Sequence, residues 1–197
     1  MHRLGLALFA LFLAVPAIAG LFGSQEYHSR HVARFPKWIG MLARYESGAQ
    51  DCAHWPCTHA GWKNTVATLR LLPALQQLRE VNTRMNAHPY IPDYTGWGVE
   101  DFWETPFEFL KKSGDCEDYA IAKYLLLRAI GWPADRLRIA IVRDRNLNIG
   151  HAVLIAYLEG VTFVLDNQTG QILPEAQVHQ YLPIYSVNEE GWWLHRL

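Results

Sequence analysis

Residues 114–124 read GDCEDYAIAKY and place one cysteine, Cys116, among three carboxylates at the start of a helical run. Gly131 and Pro133 end that run, so the sequence predicts a helix over Cys116–Ile130 with the cysteine in its first turn. Unpaired backbone N–H groups and the positive end of the helix dipole favour a thiolate there, which is the nucleophilic form of cysteine. Cys116 is therefore the candidate nucleophile.

A thiol that attacks a carbonyl group needs a base within hydrogen-bond reach and a third group that orients the base. His151 opens one apolar, strand-like run and Asp166 closes the next, and a hairpin that turns at Glu159 and Gly160 would bring the two together. A histidine at a strand end is more often a surface residue, and Asp166 also suits a turn. Combined with Cys116, the two residues predict a catalytic triad.

Asp115, Glu117 and Asp118 surround Cys116 with hard oxygen ligands of the kind that Ca²⁺ prefers. Acidic residues also favour a helix N-terminus without any metal ion. Three carboxylates would raise the pKa of a neighbouring thiol, however, and a bound cation would cancel their charge. A bound cation beside the nucleophile would therefore suit these three residues electrostatically.

The backbone N–H of Cys116 is the first candidate donor for an oxyanion hole. Asn82 is the candidate side-chain donor, with an asparagine on a helix surface as the alternative. Three aromatic residues, Trp97, Phe102 and Trp103, either line the cleft or belong to the core.

The elements that must position these residues change in type along the chain. Apolar residues recur at helical spacing over residues 35–45 and 62–85, with Pro73 breaking the second stretch, and residues 89–98 form a loop rich in Pro and Gly. Thr105 and Pro106 start a short helix. Three strands follow the Cys116 helix, over residues 137–143, 151–158 and Val161–Leu165. Helices followed by strands, with the catalytic helix packed on an antiparallel sheet, predict an α+β fold.

The N-terminal residues predict export. Residues 1–19 combine Arg3, an apolar run and the small-residue site Ala17-Ile18-Ala19, which is typical of a cleaved signal peptide, with an uncleaved anchor as the alternative. Residues 20–197 fit one domain. The chain carries 18 Lys and Arg against 19 Asp and Glu, so its net charge of −1 gives no indication of nucleic-acid binding. The aromatic C-terminal tail is predicted to pack on the body, with a partner-binding patch as the alternative.

The segment DCAHWPCTHA has three interpretations. Cys52 and Cys57 could close a small disulfide in an exported protein, or remain two thiols. With His54 and His59 they also offer four zinc ligands, although the spacing is tighter than in the usual zinc knuckles.

Several separated motifs occur in an order that resembles a known family. They are VNTRMN (residues 81–86), WGVEDFWETPFEFL (97–110), GDCEDYAIAKY (114–124), GHAVL (150–154) and LDNQ (165–168). Roughly residues 35–185 resemble the transglutaminase-like branch of the papain-like fold, and within it the bacterial transglutaminase-like cysteine proteinases of LapG type. The pair Cys52 and Cys57 is not part of this pattern.

The resemblance implies hydrolysis of a peptide bond, with Cys116 as nucleophile, His151 as general base and then acid, and Asp166 orienting His151. It implies a requirement for calcium near the cysteine, and location in the periplasm. The implied substrate is the N-terminal region of a large outer-membrane adhesin, cut at a paired-alanine site to control biofilm attachment. The implied inhibitory partner is an inner-membrane receptor for cyclic diguanylate.

Two other functions remain open from the sequence. A transglutaminase would use the same three residues but pass the acyl group to an amine instead of water. A binding module would keep the fold without catalysis, and the Cys116→Ala variant would separate it from an enzyme.

Overall fold

The computed structural model describes residues 20–48 and 59–197. The predicted signal peptide, residues 1–19, and the segment with Cys52, His54 and Cys57 lie outside the described residues, so the predictions made for them stay predictions. Among the helices of the two described ranges, none is long and apolar enough to cross a membrane.

The helices predicted for the N-terminal half are confirmed within the described residues. Pro73 separates α2 from α3 because proline lacks the N–H that a continuous helix would need. Thr105 caps α5, since its hydroxyl accepts the Glu108 N–H at 3.2 Å and the Glu108 carboxylate accepts the Thr105 N–H at 2.7 Å. Gly131 ends α6 with a φ of +112°. The helices are α1 Pro36–Gly48, α2 His59–Arg70, α3 Ala74–Asn86, α4 Asp93–Trp97, α5 Pro106–Lys112 and α6 Cys116–Ile130.

Helix α4 was not predicted. The sequence favoured an irregular loop over residues 89–98, but Asp93–Trp97 forms one short helix between Pro92 and Gly98. Gly98 ends the helix at a φ of +72°. The prolines and glycines that suggested a loop therefore mark the two ends of a helical turn.

The described residues form a sheet of seven strands in the order β1-β7-β6-β2-β3-β4-β5, with every neighbouring pair antiparallel. Strand β1 precedes the helices in the chain, and the other six strands follow them. The three predicted strands are confirmed as β2, β3 and β4, and the hairpin turn has Glu159 and Gly160 at φ +51° and +78°. The C-terminal tail packs on the body as predicted, because it forms edge-proximal strand β7 beside β1. The strands are β1 Gln25–Ser29, β2 Leu137–Asp144, β3 Ile149–Leu158, β4 Val161–Leu165, β5 Leu173–Pro174, β6 Tyr181–Val187 and β7 Trp192–Arg196.

Both faces of the sheet are covered, and α6 packs on one of them. Leu154 and Ala156 of β3 join the large core that contains most of α6. Val153 and Ile155, which alternate with them, join a second cluster with Leu21 and other residues from outside α6. We call this second set the back-face cluster, and its buried members are Leu21, Ala140, Val142, Val153, Ile155, Val164, Val178 and Tyr181. Burial on both faces explains why β3 is apolar almost throughout.

Candidate active site and metal centre

The start of α6 is fixed by Asp118, which is completely buried. Its Oδ2 accepts the N–H of Asp115 at 3.0 Å, and its Oδ1 accepts the N–H of Glu104 at 2.7 Å. Gly114 leaves the space that this carboxylate occupies, since a Cβ at that position would lie 2.2 Å from Oδ2. Asp118 therefore holds the turn before Cys116 against the loop that precedes α5.

Cys116 is the first residue of α6, as predicted. Its Sγ lies 3.1 Å from Oε2 of Glu117, so the thiol donates to that carboxylate. Burial, followed by the charge and the hydrogen bond of Glu117, raises the pKa of the thiol, and the nearby N–H of Ala152 partly opposes this. The favourable position at a helix N-terminus is therefore outweighed by burial and by the neighbouring acids.

His151 and Asp166 form a buried pair at the ends of two adjacent strands. His151 Nε2 lies 2.9 Å from Asp166 Oδ1, and both residues are 4% exposed. Burial alone would raise the pKa of Asp166, but the hydrogen bond and charge of His151 and the donors Gln168 N–H and Tyr181 hydroxyl lower it below its ordinary value. Asp166 is thus an ionised acceptor, which is the form that can orient an imidazole.

Cys116, the third residue of the predicted triad, lies near the backbone of β3 next to His151. The backbone N–H of Ala152 is close enough to Cys116 Sγ to lower the pKa of the thiol, and Ala152 directly follows His151, so the thiol lies at the end of β3 that carries the histidine. Across the described ranges, no hydrogen bond joins Sγ to the His151 ring, and the bond of the thiol is to Glu117. The structure therefore brings Cys116 to the His151 end of β3 and forms the His151–Asp166 contact itself.

A cluster of carboxylates surrounds the start of α6. Ligand atoms of Asp93, Asp115 and Asp118 lie within 4.8 Å of one another, and so do those of Asp93, Asp101 and Glu117. Two oxygens in this cluster, Oδ1 of Asp93 and Oδ1 of Asp115, are buried without a hydrogen-bond partner among the described residues. Buried polar atoms are normally paired, so these two oxygens are the positions where a cation would be bound.

Burial and mutual repulsion raise the pKa values of the acids in the cluster. Burial, followed by the charge of Glu117, raises the pKa of Asp115 to about 8. Burial and the charge of Glu104 raise the pKa of Asp118 to about 10, and burial also raises the pKa of Asp93. Acids that repel one another at close range bind a proton or a cation in place of the water they lost. The residues present therefore fit Ca²⁺.

The predicted ligands differ in how available they are. Asp115, Glu117 and Asp118 each belong to a group of close ligand atoms, but both oxygens of Asp118 also accept backbone N–H bonds. Sequence reasoning missed Asp93 and Asp101, which come from α4 and the loop after it. The signal was weak, because Asp93 is a single acid in the stretch predicted as an irregular loop, and Asp101 lies in a motif quoted only for the family resemblance.

Asn82, the predicted side-chain donor to the oxyanion, contacts the loop after Asp166. It is completely buried in α3, and its Nδ2 is 3.4 Å from the carbonyl oxygens of Thr169 and of Gly170. Asn86, one turn later, donates to the carbonyl oxygens of Asp166 at 2.8 Å and Thr169 at 2.9 Å. Asn82 and Asn86 thus anchor the loop after Asp166, and the oxyanion role of Asn82 stays a prediction.

Of the three aromatic residues predicted either to line the cleft or to belong to the core, Trp97, Phe102 and Trp103, only the last lies in the core. Trp103 is a member of the large core. Trp97 and Phe102 are half-buried, with ring centroids 4.5 Å apart, and the cations of Lys112 and Arg44 lie over them at 3.6 Å and 4.5 Å. They form a cation-covered pair beside the carboxylate cluster, and Trp97 Nε1 donates to Glu104.

Comparison with known proteins agrees with this arrangement. Residues 47–196 match the family of bacterial transglutaminase-like cysteine proteinases. The calcium-bound LapG of Legionella pneumophila is 34% identical, with a TM-score of 0.65 over 78% of this chain and 87% of that one. The EGTA-treated form of the same protein is also 34% identical, with a TM-score of 0.65 over 81% and 86%. Among curated proteins, no relative matches this chain.

The match covers most of the chain and includes the cysteine, histidine and aspartate described above. The α+β architecture agrees with that of LapG at an identity well above the level at which only the fold is shared. The chain therefore belongs to the family of bacterial transglutaminase-like cysteine proteinases and is a protease of LapG type.

Proposed function

We propose that Cys116, His151 and Asp166 form the catalytic triad of a calcium-dependent cysteine endopeptidase. The observation that carries this proposal is the buried His151–Asp166 pair at 2.9 Å, together with the position of Cys116 near Ala152, the residue that follows His151 in β3. A buried histidine with an ionised partner, next to a thiol at a helix N-terminus, is the arrangement that nucleophilic catalysis requires.

Each residue has one task in the proposed reaction. With Nε2 donating to Asp166, the other ring nitrogen of His151 is left to accept the proton of the thiol. The Cys116 sulfur then attacks the peptide carbonyl, and the histidine returns the proton to the leaving amine. The backbone N–H of Cys116 lies in the first helical turn, which has no helical acceptor, and is the proposed donor to the oxyanion. Water, activated by the same histidine, releases the acyl group.

Calcium would be held by Asp93, Asp101, Asp115 and Glu117, with Asp118 fixing the turn that carries them. When bound, it would supply positive charge beside the thiol, where burial and carboxylates now raise the thiol pKa. The calcium-bound and EGTA-treated states of the Legionella LapG, a 34% identical relative, support this part of the proposal.

The proposed substrate is the N-terminal region of a large outer-membrane adhesin, cut at a paired-alanine site so that the adhesin leaves the cell surface. The protein would act in the periplasm after removal of residues 1–19, and an inner-membrane receptor for cyclic diguanylate would sequester it. These proposals rest on the family resemblance and the sequence of the N-terminal residues, together with the LapG relatives.

The experiment is cleavage of an adhesin N-terminal fragment from the same organism by residues 20–197. We expect one cut with calcium, and no cut with the Cys116→Ala variant or with excess EGTA. The variant Asp115→Asn should need more calcium than the wild type, whereas Asp135→Asn, which removes an exposed acid outside the cluster, should not. Mass spectrometry of the products with an added primary amine distinguishes hydrolysis from acyl transfer.

Two results would contradict the proposal. Cleavage that survives in Cys116→Ala would exclude the cysteine as nucleophile. Full activity in excess EGTA, with the calcium requirement of Asp115→Asn unchanged, would exclude the metal centre. The circular dichroism spectrum of the EGTA-treated protein should still be that of a folded protein, because calcium is proposed to affect the active site and not the fold.

A further inference from the structure

Tyr181 of β6 contacts both members of the buried pair. Its hydroxyl donates to Oδ2 of Asp166, while His151 and the Gln168 N–H occupy Oδ1. Its ring centroid lies 5.5 Å from that of His151. Because each carboxylate oxygen then has its own donors, the plane of the Asp166 carboxylate is fixed, and with it the direction in which the imidazole is held.

Tyr181 is itself supported from the back face of the sheet by Phe22. The two rings meet edge to face, with centroids 6.1 Å apart and an interplanar angle of 88°. Phe22 adopts a φ of +53°, which is unfavourable for a residue with a side chain, so the surroundings must impose it. The result of that conformation is a ring directed at Tyr181.

The surroundings that impose this conformation are a set of contacts along residues 20–24. Gly20 N–H donates to the Ser24 carbonyl at 2.8 Å, Leu21 N–H donates to Glu26 Oε1 at 3.0 Å, and Phe22 N–H donates to Glu175. The side chain of Leu21 is buried in the back-face cluster. The hydroxyl of Ser24 lies 2.9 Å from Nδ1 of the buried His195. The segment is therefore anchored at almost every residue.

We propose that residues 20–24 form an N-terminal clamp that positions the catalytic pair through Tyr181. The clamp fixes Tyr181, Tyr181 fixes Asp166, and Asp166 fixes His151. Tyr181 and Phe22 are positioning residues, since neither touches the reacting atoms. The inference rests on the proposed function of His151 and Asp166, and none of the motifs that carried the family resemblance includes the clamp or Tyr181.

The test compares four variants with the wild-type protein. Tyr181→Phe removes one hydrogen bond to a buried carboxylate, so we expect kcat to fall by about 10- to 100-fold with KM within about twofold. Phe22→Ala should lower kcat by about 3- to 10-fold, and Phe22→Leu, which keeps an apolar side chain, should recover most of that loss. Tyr157→Phe is the matched control, because it removes a hydroxyl beside the back-face cluster.

Activity is counted per folded molecule, with the folded fraction taken from urea unfolding under the assay conditions, so that unfolded protein does not count as slow enzyme. The second readout is the downfield proton resonance of His151 Nε2–H, which reports its hydrogen bond to Asp166 without any substrate. It should shift or broaden in Tyr181→Phe and Phe22→Ala and stay unchanged in Tyr157→Phe. A lower melting temperature alone would leave this resonance in place.

The outcomes separate the two proposals. If the resonance and kcat per site of Tyr181→Phe and Phe22→Ala match the wild type, the clamp is only structural and the inference is wrong. If Cys116→Ala still cleaves the substrate, the proposed function fails, while the resonance still decides whether the clamp positions the pair.

Discussion

Lys123 offers the sharpest physical test of this structure. It lies on α6, its side chain is completely buried, and its Nζ has no hydrogen-bond partner among the described residues. Burial lowers its pKa to about 7, against a partial opposing effect of the Asp166 charge. The perturbation is Lys123→Met, which keeps a flexible chain of similar length and removes the amine.

The sign follows from proton binding. The pKa is about 7 in the folded protein and 10.5 for a free lysine. Between these values the unfolded chain holds a proton that the folded protein releases, so stability rises with pH there and is lowest below pH 7. Inside that interval the free energy of unfolding rises by about 1.4 kcal/mol for each pH unit. Lys123 should therefore destabilise the protein by about 5 kcal/mol at pH 6 and by about 2 kcal/mol at pH 9.

The assay is urea unfolding followed by tryptophan fluorescence at pH 6 and pH 9, with calcium chelated throughout. The stability gained by Lys123→Met should be about 3 kcal/mol larger at pH 6 than at pH 9. Subtracting the wild-type free energy of unfolding at each pH cancels the contribution of the acids in the carboxylate cluster, which titrate in both proteins. Lys111→Met, at an exposed lysine, is the control. An equal effect of Lys123→Met at both pH values would refute the reasoning.

Three further substitutions test the supports of the site by chemical denaturation. Gly114→Ala should cost about 2 kcal/mol or more, because its Cβ would lie 2.2 Å from Asp118 Oδ2, and a neutral effect would mean that the carboxylate moves freely. Asn86→Ala should cost about 2 kcal/mol by leaving buried carbonyl oxygens unpaired, and should lower kcat because one of them belongs to Asp166. Thr105→Ala should cost about 1 kcal/mol through the lost cap of α5, with kcat unchanged; a larger loss of kcat than of stability would contradict this.

The sequence predicted those parts of the fold that local patterns determine. The β3–β4 hairpin has turn residues that adopt positive φ and strands rich in β-branched residues, so the local sequence was enough to predict it. Strands β1, β6 and β7 could not, because their partners are distant in sequence: Gln25 pairs with Arg196, and Asp144 pairs with Tyr181. Such pairings depend on tertiary packing and leave little periodic signal.

The same distinction holds for the site. Cys116, with Asp115 and Glu117, was found because one short stretch contains them all. Tyr181 and Asp93 were missed because each reaches the site from an element whose position the local sequence does not determine. The oxyanion role of Asn82 stays a prediction, and the packing of α3 directs its amide to the loop at Thr169. A short polar side chain on a helix can face either way, and only its neighbours decide.

The start of α6 contains groups that favour the Cys116 thiolate and acids that disfavour it. The helix terminus and the Ala152 N–H favour a thiolate, but burial and Glu117 outweigh them and raise the thiol pKa. Oδ1 of Asp93 and Oδ1 of Asp115 meanwhile are buried with no hydrogen-bond donor from the part of the chain that the structure describes. One cation bound by the free oxygens would satisfy them and weaken the repulsion that keeps the thiol protonated, which is the physical reason to expect nucleophilicity and calcium binding to be linked in this protein.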